Sequence, residues 1–173
     1  MKNFDMRLLV PSDAVAYRAL RLQSLAKHPE AFTSSAAEEM GKDLSQDVQR
    51  LTPRTDMPHD FVLGAWAGDK LAGMVGLKGA YRRNERHTAT VVGMMVEAGF
   101  QHQGLGEQLM RSLLDHVQTL PDLEQLVLTV TEGNASAQNL YERCGFVVYG
   151  VRPKAIKVEG RLYSKVHMLL DLR

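Results

Sequence analysis

The segment from Thr88 to Thr131 constrains the fold of this chain more than any other. Thr88 to Val96 is a β-branched and apolar run bounded by polar sequence, and it reads as a strand. "QHQGLG", Gln101 to Gly106, follows it and opens an apolar stripe of Leu105, Leu109, Met110, Leu113, Leu114 and Val117. Glu107, Gln108, Arg111, Ser112 and Asp115 fill the positions between, so the period is that of an amphipathic helix. Pro121 closes this segment, and Leu126 to Thr131 is the short β-branched run of a buried strand. Strand, helix and strand at this spacing predict two parallel strands joined by a right-handed crossover.

The flanking sequence adds antiparallel elements. Phe4 to Val10 reads as a strand, with Ser12 as an N-cap and Asp13 in the first turn of a helix along which Val15, Ala19, Leu22 and Ala26 recur. Pro29 breaks that pattern, and a second, more polar helix is expected across Ala37 to Leu51, before Pro53 and Pro58. Phe61 to Ala67 and Leu71 to Leu77 flank "GDK" as a hairpin. Asn134 caps a helix running to Cys144, with Gly145 at the left-handed position after it. Phe146 to Tyr149 and Leu162 to Leu170 read as closing strands around a Pro- and Lys-bearing connection. The expectation is one α/β domain over residues 1–173, with a mixed sheet of about seven strands and about four helices.

Charge and cysteine content narrow the setting. With 21 Lys and Arg against 20 Asp and Glu, the chain carries no overall footprint for nucleic acid or an anionic membrane. Its one cysteine, Cys144, allows no internal disulfide and suits a reducing compartment. Lys2, Asp5 and Arg7 precede no apolar stretch of signal-peptide length, and no run is long enough to span a bilayer. A cytoplasmic location is therefore expected. No His-Glu-x-x-His or comparable spacing is present, so no metal is expected.

Gly104 and Gly106 stand where the strand hands over to the helix. Two glycines there make a tight turn, and alone they call for nothing more. They also remove Cβ atoms beside a helix N-terminus, whose free N–H groups and dipole attract phosphate. A dinucleotide fingerprint would need a glycine where Leu109 stands, and a triphosphate loop would need Lys and Ser or Thr where Glu107 and Gln108 follow.

Gln101-His102-Gln103-Gly104-Leu105-Gly106 resembles the Gln/Arg-x-x-Gly-x-Gly/Ala signature of the GNAT N-acetyltransferases. "NASAQNLYERCGF", Asn134 to Phe146, resembles that family's second signature, in the same order and at the same spacing. The resemblance implies a mostly antiparallel twisted sheet whose single parallel pair splays apart at an acetyl-CoA site. It implies that the backbone of Gln101, His102, Gln103, Gly104, Leu105 and Gly106 holds the CoA pyrophosphate. The edge at Met94, Met95 and Val96 would pair with the pantetheine arm, and Asn134 and Ala137 would contact it from the far side. Gly93 marks the expected bulge. A homodimer is compatible with the family.

Acetyl transfer requires a neutral amine, a polarised thioester carbonyl and a proton for the departing thiolate. A free alkylamine of pKa about 10.4 is charged at neutral pH, so it must lose a proton first. Backbone N–H groups near Met95 and Val96 could polarise the carbonyl. By the resemblance Tyr141 matches the family's general acid and would also contact the cofactor; on its sequence alone it belongs to the apolar stripe Ala137, Leu140, Tyr141 and Cys144. Thr88 to Val96 holds no carboxylate, and no base is assigned among Glu85, His87 and Glu97. Cys144 reads as an inert thiol on the same stripe.

The acceptor clues conflict. Arg152, Lys154, Lys157 and Arg161 could favour an acidic substrate or the CoA 3′-phosphate, whereas Glu38, Glu39 and Asp43 could attract a cationic amine. The expected activity is direct transfer of acetyl from acetyl-CoA to a primary amine, on a small molecule or a protein N-terminus. A non-catalytic acyl-CoA-binding or sensory domain on the same scaffold is the alternative, and an α/β protein whose glycines form only a turn is the second.

Overall fold

The computed structural model describes residues 4–120 and 122–173, so the expected closure at Pro121 lies outside the described residues. Seven strands form one sheet: β1 (Asp5–Leu8), β2 (Phe61–Ala67), β3 (Lys70–Gly79), β4 (Thr88–Val96), β5 (Gln125–Thr131), β6 (Val147–Val158) and β7 (Arg161–Asp171). Their order is β1-β2-β3-β4-β5-β7-β6, and only β4 and β5 are parallel. Five α-helices surround it: α1 (Ala14–Lys27), α2 (Ala36–Met40), α3 (Leu44–Leu51), α4 (Leu105–Val117) and α5 (Ala135–Arg143).

Side chains alternate across the central strands and so build two cores. Val75 and Leu77 join Leu105, Leu109, Met110, Leu113 and Val117 of α4, whereas Met74 joins Tyr17, Leu20 and Leu25 of α1 and Leu51 of α3. The α4 stripe is buried as its period predicts, at 0% exposure for Leu109, Met110 and Leu113. Each such leucine contributes about 1.5–3 kcal/mol by leaving water.

Several boundaries differ from those read in the sequence. The polar helix divides into α2 and α3 because Ser35 caps the first piece, accepting from the Glu38 N–H, and Asp43 caps the second, accepting from the Ser45 N–H. The buried face of α1 is Ala14, Tyr17, Leu20, Ser24 and Leu25, while Val15 is 68% exposed. Ser12 is not its cap. A 3-10 turn spans Pro11–Asp13, and the Asp13 carboxylate accepts from the Val10 N–H at 2.8 Å while pairing with Arg7 at 2.7 Å. The Pro- and Lys-bearing stretch lies inside β6, where a bulge between Arg152 and Ile156 absorbs Pro153 and Lys154.

Candidate functional site

Two features of β4 open the sheet. Met74 pairs with Met95 and Gly76 with Val92, so Val75 alone opposes Gly93 and Met94. This is a bulge, and Gly93 takes the left-handed φ of 60° that it requires. On the opposite edge, β4 pairs with β5 only from Thr88 to Thr90. On its other side β5 pairs with β7 along its whole length, from Gln125 opposite Asp171 to Thr131 opposite Lys165. The edge of β4 from Val91 to Val96 is left without a strand beside it.

A wedge of about 690 Å³ occupies this opening. Met94, Met95, Val96, Gln101, His102, Gly104, Leu105, Gly106, Asn134 and Ala137 all line it. Gln103 does not; its side chain turns back to donate to the Gly99 carbonyl at 3.0 Å. Gln101 ties the turn to the strand, its Nε2 donating to the Val96 carbonyl at 3.2 Å.

The N-terminus of α4 opens into the wedge. Its first helical hydrogen bond runs from the Gln108 N–H to the Gly104 carbonyl, so the N–H groups of Leu105, Gly106 and Glu107 have no helical partner. Gly104 has φ 76°, and a Cβ built there would meet nothing within 4 Å. Glu107, whose charge would repel a phosphate, is bound by Arg111 at 2.7 Å and Arg143 at 3.2 Å, which hold its carboxyl below its usual range.

Across the wedge, the Asn134 carboxamide oxygen accepts from the Ala137 N–H at 3.2 Å and starts α5. That helix ends as its sequence demands. Gly145, at φ 94°, donates to the Glu142 carbonyl and Phe146 donates to that of Tyr141, while the Tyr141 and Phe146 rings meet edge to face at 6.1 Å. Tyr141 is thereby set in the core at 8% exposure and is not on the wedge lining. Its hydroxyl has no hydrogen-bond partner among the described residues. It is also not one of the fully enclosed unpaired side-chain atoms, which are His59 Nδ1 and Trp66 Nε1. Burial pushes its phenol up to about 12. Burial likewise raises the Cys144 thiol, consistent with an unreactive sulfur.

Sequence reasoning missed the brace over the wedge mouth. Lys165, 5% exposed, donates from Nζ to the Ala31 carbonyl at 3.0 Å and to Thr131 Oγ1 at 2.8 Å. Thr131 Oγ1 in turn donates to the Glu30 carbonyl at 2.6 Å. Burial lowers the pKa of this ammonium. The brace holds the 3-10 turn Pro29–Ala31 against the end of β5 and the middle of β7, and Phe32 beyond it lines the wedge. The one signal was Lys165 standing directly before the largely apolar run Val166 to Leu170 of β7.

Phe32 and the bulge also border a second cavity of about 490 Å³ on the α1–α3 side. Tyr17, Arg21, Glu39, Asp47, Arg50 and Lys78 are among its walls. The acidic residues of this region are already engaged. Glu38 completes the cap of α2 and Asp43 caps α3. Glu39 receives Arg21 at 3.1 Å and Lys42 at 2.7 Å, and these cations hold its carboxyl at about 2. The basic residues Arg152, Lys154, Lys157 and Arg161 lie on the β6–β7 hairpin and line neither cavity. Of the carboxylates near β4, Glu97 is engaged by the Gly99 N–H at 2.9 Å and by Lys70 at 3.4 Å.

Among the described residues no helix is long and apolar enough to cross a membrane, and no cluster of three His, Cys, Asp or Glu is placed to hold a metal ion.

Comparison with known proteins gives a consistent set. The model of the acetyltransferase (GNAT) family matches residues 23–146. An uncharacterized N-acetyltransferase, YvbK of Bacillus subtilis (strain 168), is 27% identical over 124 residues, covering 65% of this chain and 76% of that protein. The N-alpha-acetyltransferase RimI of Mycobacterium tuberculosis is 32% identical over 107 residues, covering 60% of this chain and 62% of RimI, less than two thirds of its length. The structure of yncA from Salmonella typhimurium, solved with its cofactor acetyl-CoA, superposes with a TM-score of 0.86 at 20% identity, covering 99% of this chain and 95% of that one. At that identity the likeness is one of fold.

Proposed function

This chain belongs to the GNAT acetyltransferase family, and on that premise we propose that it is an acetyl-CoA-dependent N-acetyltransferase acting on a primary amine in a ternary complex. The observation that carries this reading is the wedge itself: an unpaired strand edge that leads from a backbone bulge to a glycine-opened helix N-terminus. An extended amide-bearing chain ending in phosphates needs those two features in that order.

In this proposal the backbone of Gln101 to Gly106, including Gln103 through its main chain, receives the pyrophosphate. Met94 to Val96 receives the pantetheine amides as a neighbouring strand would, and Asn134 and Ala137 close the far side. Acetyl-CoA supplies the activated thioester. The amine nitrogen bonds to the carbonyl carbon as the carbon–sulfur bond breaks; the nitrogen gives up one proton and the thiolate takes one. We assign the donated proton to Tyr141, which stands behind the wedge wall beside the lining residues Ala137 and Leu140 of the same helix, whose phenol stays protonated at neutral pH and whose hydroxyl has no partner among the described residues. N–H groups near Met95 and Val96 stabilise the developing oxyanion. The proton leaving the amine is passed to water, since no carboxylate lies within β4. N-acetylation, rather than transfer to oxygen, is supported by the N-acetyltransferase relatives.

The test is initial-rate kinetics, followed by release of CoA thiol and by mass spectrometry of the amine product. Direct transfer predicts intersecting double-reciprocal lines when both substrates are varied. Parallel lines would require an acetylated enzyme and overturn the ternary complex. Tight acetyl-CoA binding with no turnover of any amine would favour a sensory domain.

A further inference from the structure

The second cavity has a charge pattern that names its occupant. Arg21, Lys42, Arg50 and Lys78 supply its cations, and Glu39 and Asp47 its carboxylates. Both acids are already engaged: Glu39 by Arg21 and Lys42, and Asp47 by Arg18 at 2.7 Å. Arg18 is also tied to the carbonyls of Glu39, Met40 and Lys42, so it is fixed in place and outside the lining. No acid in this cavity is left to receive a polyamine.

Two of the cations are uncommitted. Arg50 reaches only the Phe61 and Leu77 carbonyls, at 3.4 and 3.3 Å, both through Nη2. Among the described residues its Nε and Nη1 have no hydrogen-bond partner and Lys78 has no ion-pair partner. Arg50 lies over Gly76 of β3, where a Cβ would come within 3.2 Å of Nη2, so this glycine makes room for the guanidinium. Gly76 pairs with Val92, the residue before the Gly93 bulge. Lys78 is two positions along β3 from Gly76 and therefore on the same face. Tyr17, 7% exposed, lines the same space, and its hydroxyl has no hydrogen-bond partner among the described residues.

We propose, building on the N-acetyltransferase reading, that the acceptor is a small zwitterionic amine: an amino acid or close analogue whose carboxylate is gripped by Arg50 and Lys78. Each two-donor fork of a guanidinium includes Nη2, which here faces the two carbonyls, so the unpaired Nη1 or Nε offers a carboxylate one charge-assisted hydrogen bond and Lys78 offers a second. Since one strand residue spans about 3.3 Å, an anion at Arg50 sits roughly one residue from the bulge through which the amine must approach. That separation matches an amine and a carboxylate on the same or adjacent carbons. A long polyamine or an unadorned alkylamine finds unpaired cations here and no counter-charge. A protein N-terminus brings no carboxylate so near its amine.

The experiment measures thiol release from acetyl-CoA with matched pairs, alanine against ethylamine and methionine against its decarboxylated amine, with spermidine added. Acetyl-CoA binding is followed separately by calorimetry. The carboxylate-bearing member of each pair is expected to lead by at least about tenfold in kcat/KM. Arg50→Gln should raise its KM by roughly 10- to 100-fold, the scale of a charge-assisted hydrogen bond, while acetyl-CoA affinity stays unchanged. Lys78→Gln, at an exposed position with no contact to lose, should raise KM by a smaller factor and guards against a folding defect in the first variant. Equal or better turnover of the plain amines or spermidine overturns the inference. So does an unchanged KM in both variants, or a protein that binds acetyl-CoA and acetylates no amino acid. Failure of the folded wild type to bind acetyl-CoA is a different result: it overturns the transferase reading, and this inference with it.

Discussion

Replacing Tyr141 by phenylalanine separates its place in the core from its proposed chemistry. The ring is 8% exposed and lies 6.1 Å from that of Phe146. Phenylalanine keeps both the ring's burial and its edge-to-face contact. The lost hydroxyl makes no hydrogen bond in the fold, so none of the roughly 0.5–1.5 kcal/mol of a typical bond is forfeited. The change in stability should be within about 0.5 kcal/mol. Tyr141→Ala, by contrast, removes the ring and should cost about 3–5 kcal/mol, as aromatic truncations in cores do. If the phenol donates the proton to the thiolate, Tyr141→Phe should lower kcat by about 10²–10⁴, which is about 3–5 kcal/mol of barrier. Because burial holds the phenol at about 12, the wild type should show no loss of rate from Tyr141 ionisation below about pH 10. The assay is thiol release under saturating substrates, paired with thermal unfolding. A folded Tyr141→Phe with kcat within about threefold of wild type would refute the assignment and return Tyr141 to the core alone.

Two further outcomes follow from local geometry. Gly104→Ala places a Cβ at φ 76° in open space, so the backbone should cost about 1–2 kcal/mol in a melting experiment, and acetyl-CoA affinity should fall at least about tenfold by calorimetry; unchanged affinity would remove the phosphates from this turn. Glu39→Gln tests the Arg21–Glu39–Lys42 cluster. The carboxyl falls from 4.5 to about 2 in the fold, which is about 3 kcal/mol at full strength, and screening at the partly exposed Lys42 leaves about 1–2 kcal/mol. Since the folded value lies below the unfolded one, this stabilisation is complete above about pH 4.5 and is lost as the pH falls toward 2. The variant should melt about 3–6 °C lower at pH 7, and its acid unfolding should be shallower across that window; an unchanged acid limb would show that the cluster is screened out.

The α4 stripe, the hairpin at Gly68 and the parallel pair were legible because each rests on a local rule: helical period, turn chemistry or crossover geometry; the Gly93 bulge was expected from an interior strand glycine together with the family resemblance. Less legible was anything decided by a partner far along the chain. Glu39 looks like bait for a cationic amine until Arg21, 18 residues earlier, is seen to occupy it. Lys165 and Ala31 are 134 residues apart, so no window of sequence contains their contact. The buried face of α1 was misread because Val15 is apolar and exposed while Ser24 is polar and buried, and the side of the helix that faces the sheet at β3 and β4, rather than hydrophobicity, chose between them. Pro153 and Lys154 suggested a loop, yet an edge strand with one unpaired side tolerates a proline at a bulge. For the site, the turn and the N-cap were readable as motifs, whereas the second cavity's walls come from α1, α2, α3, β2, β3 and β4 together and carry no motif.

The most direct measurement is calorimetric titration of the folded protein with acetyl-CoA, with NAD as the control dinucleotide. A wedge between β4 and β5 that receives a pantetheine chain and its pyrophosphate predicts selective one-to-one binding in the micromolar range, with no heat from NAD. Absence of acetyl-CoA binding by a sample that melts cooperatively would contradict it and leave Gly104 and Gly106 as a turn between a strand and a helix.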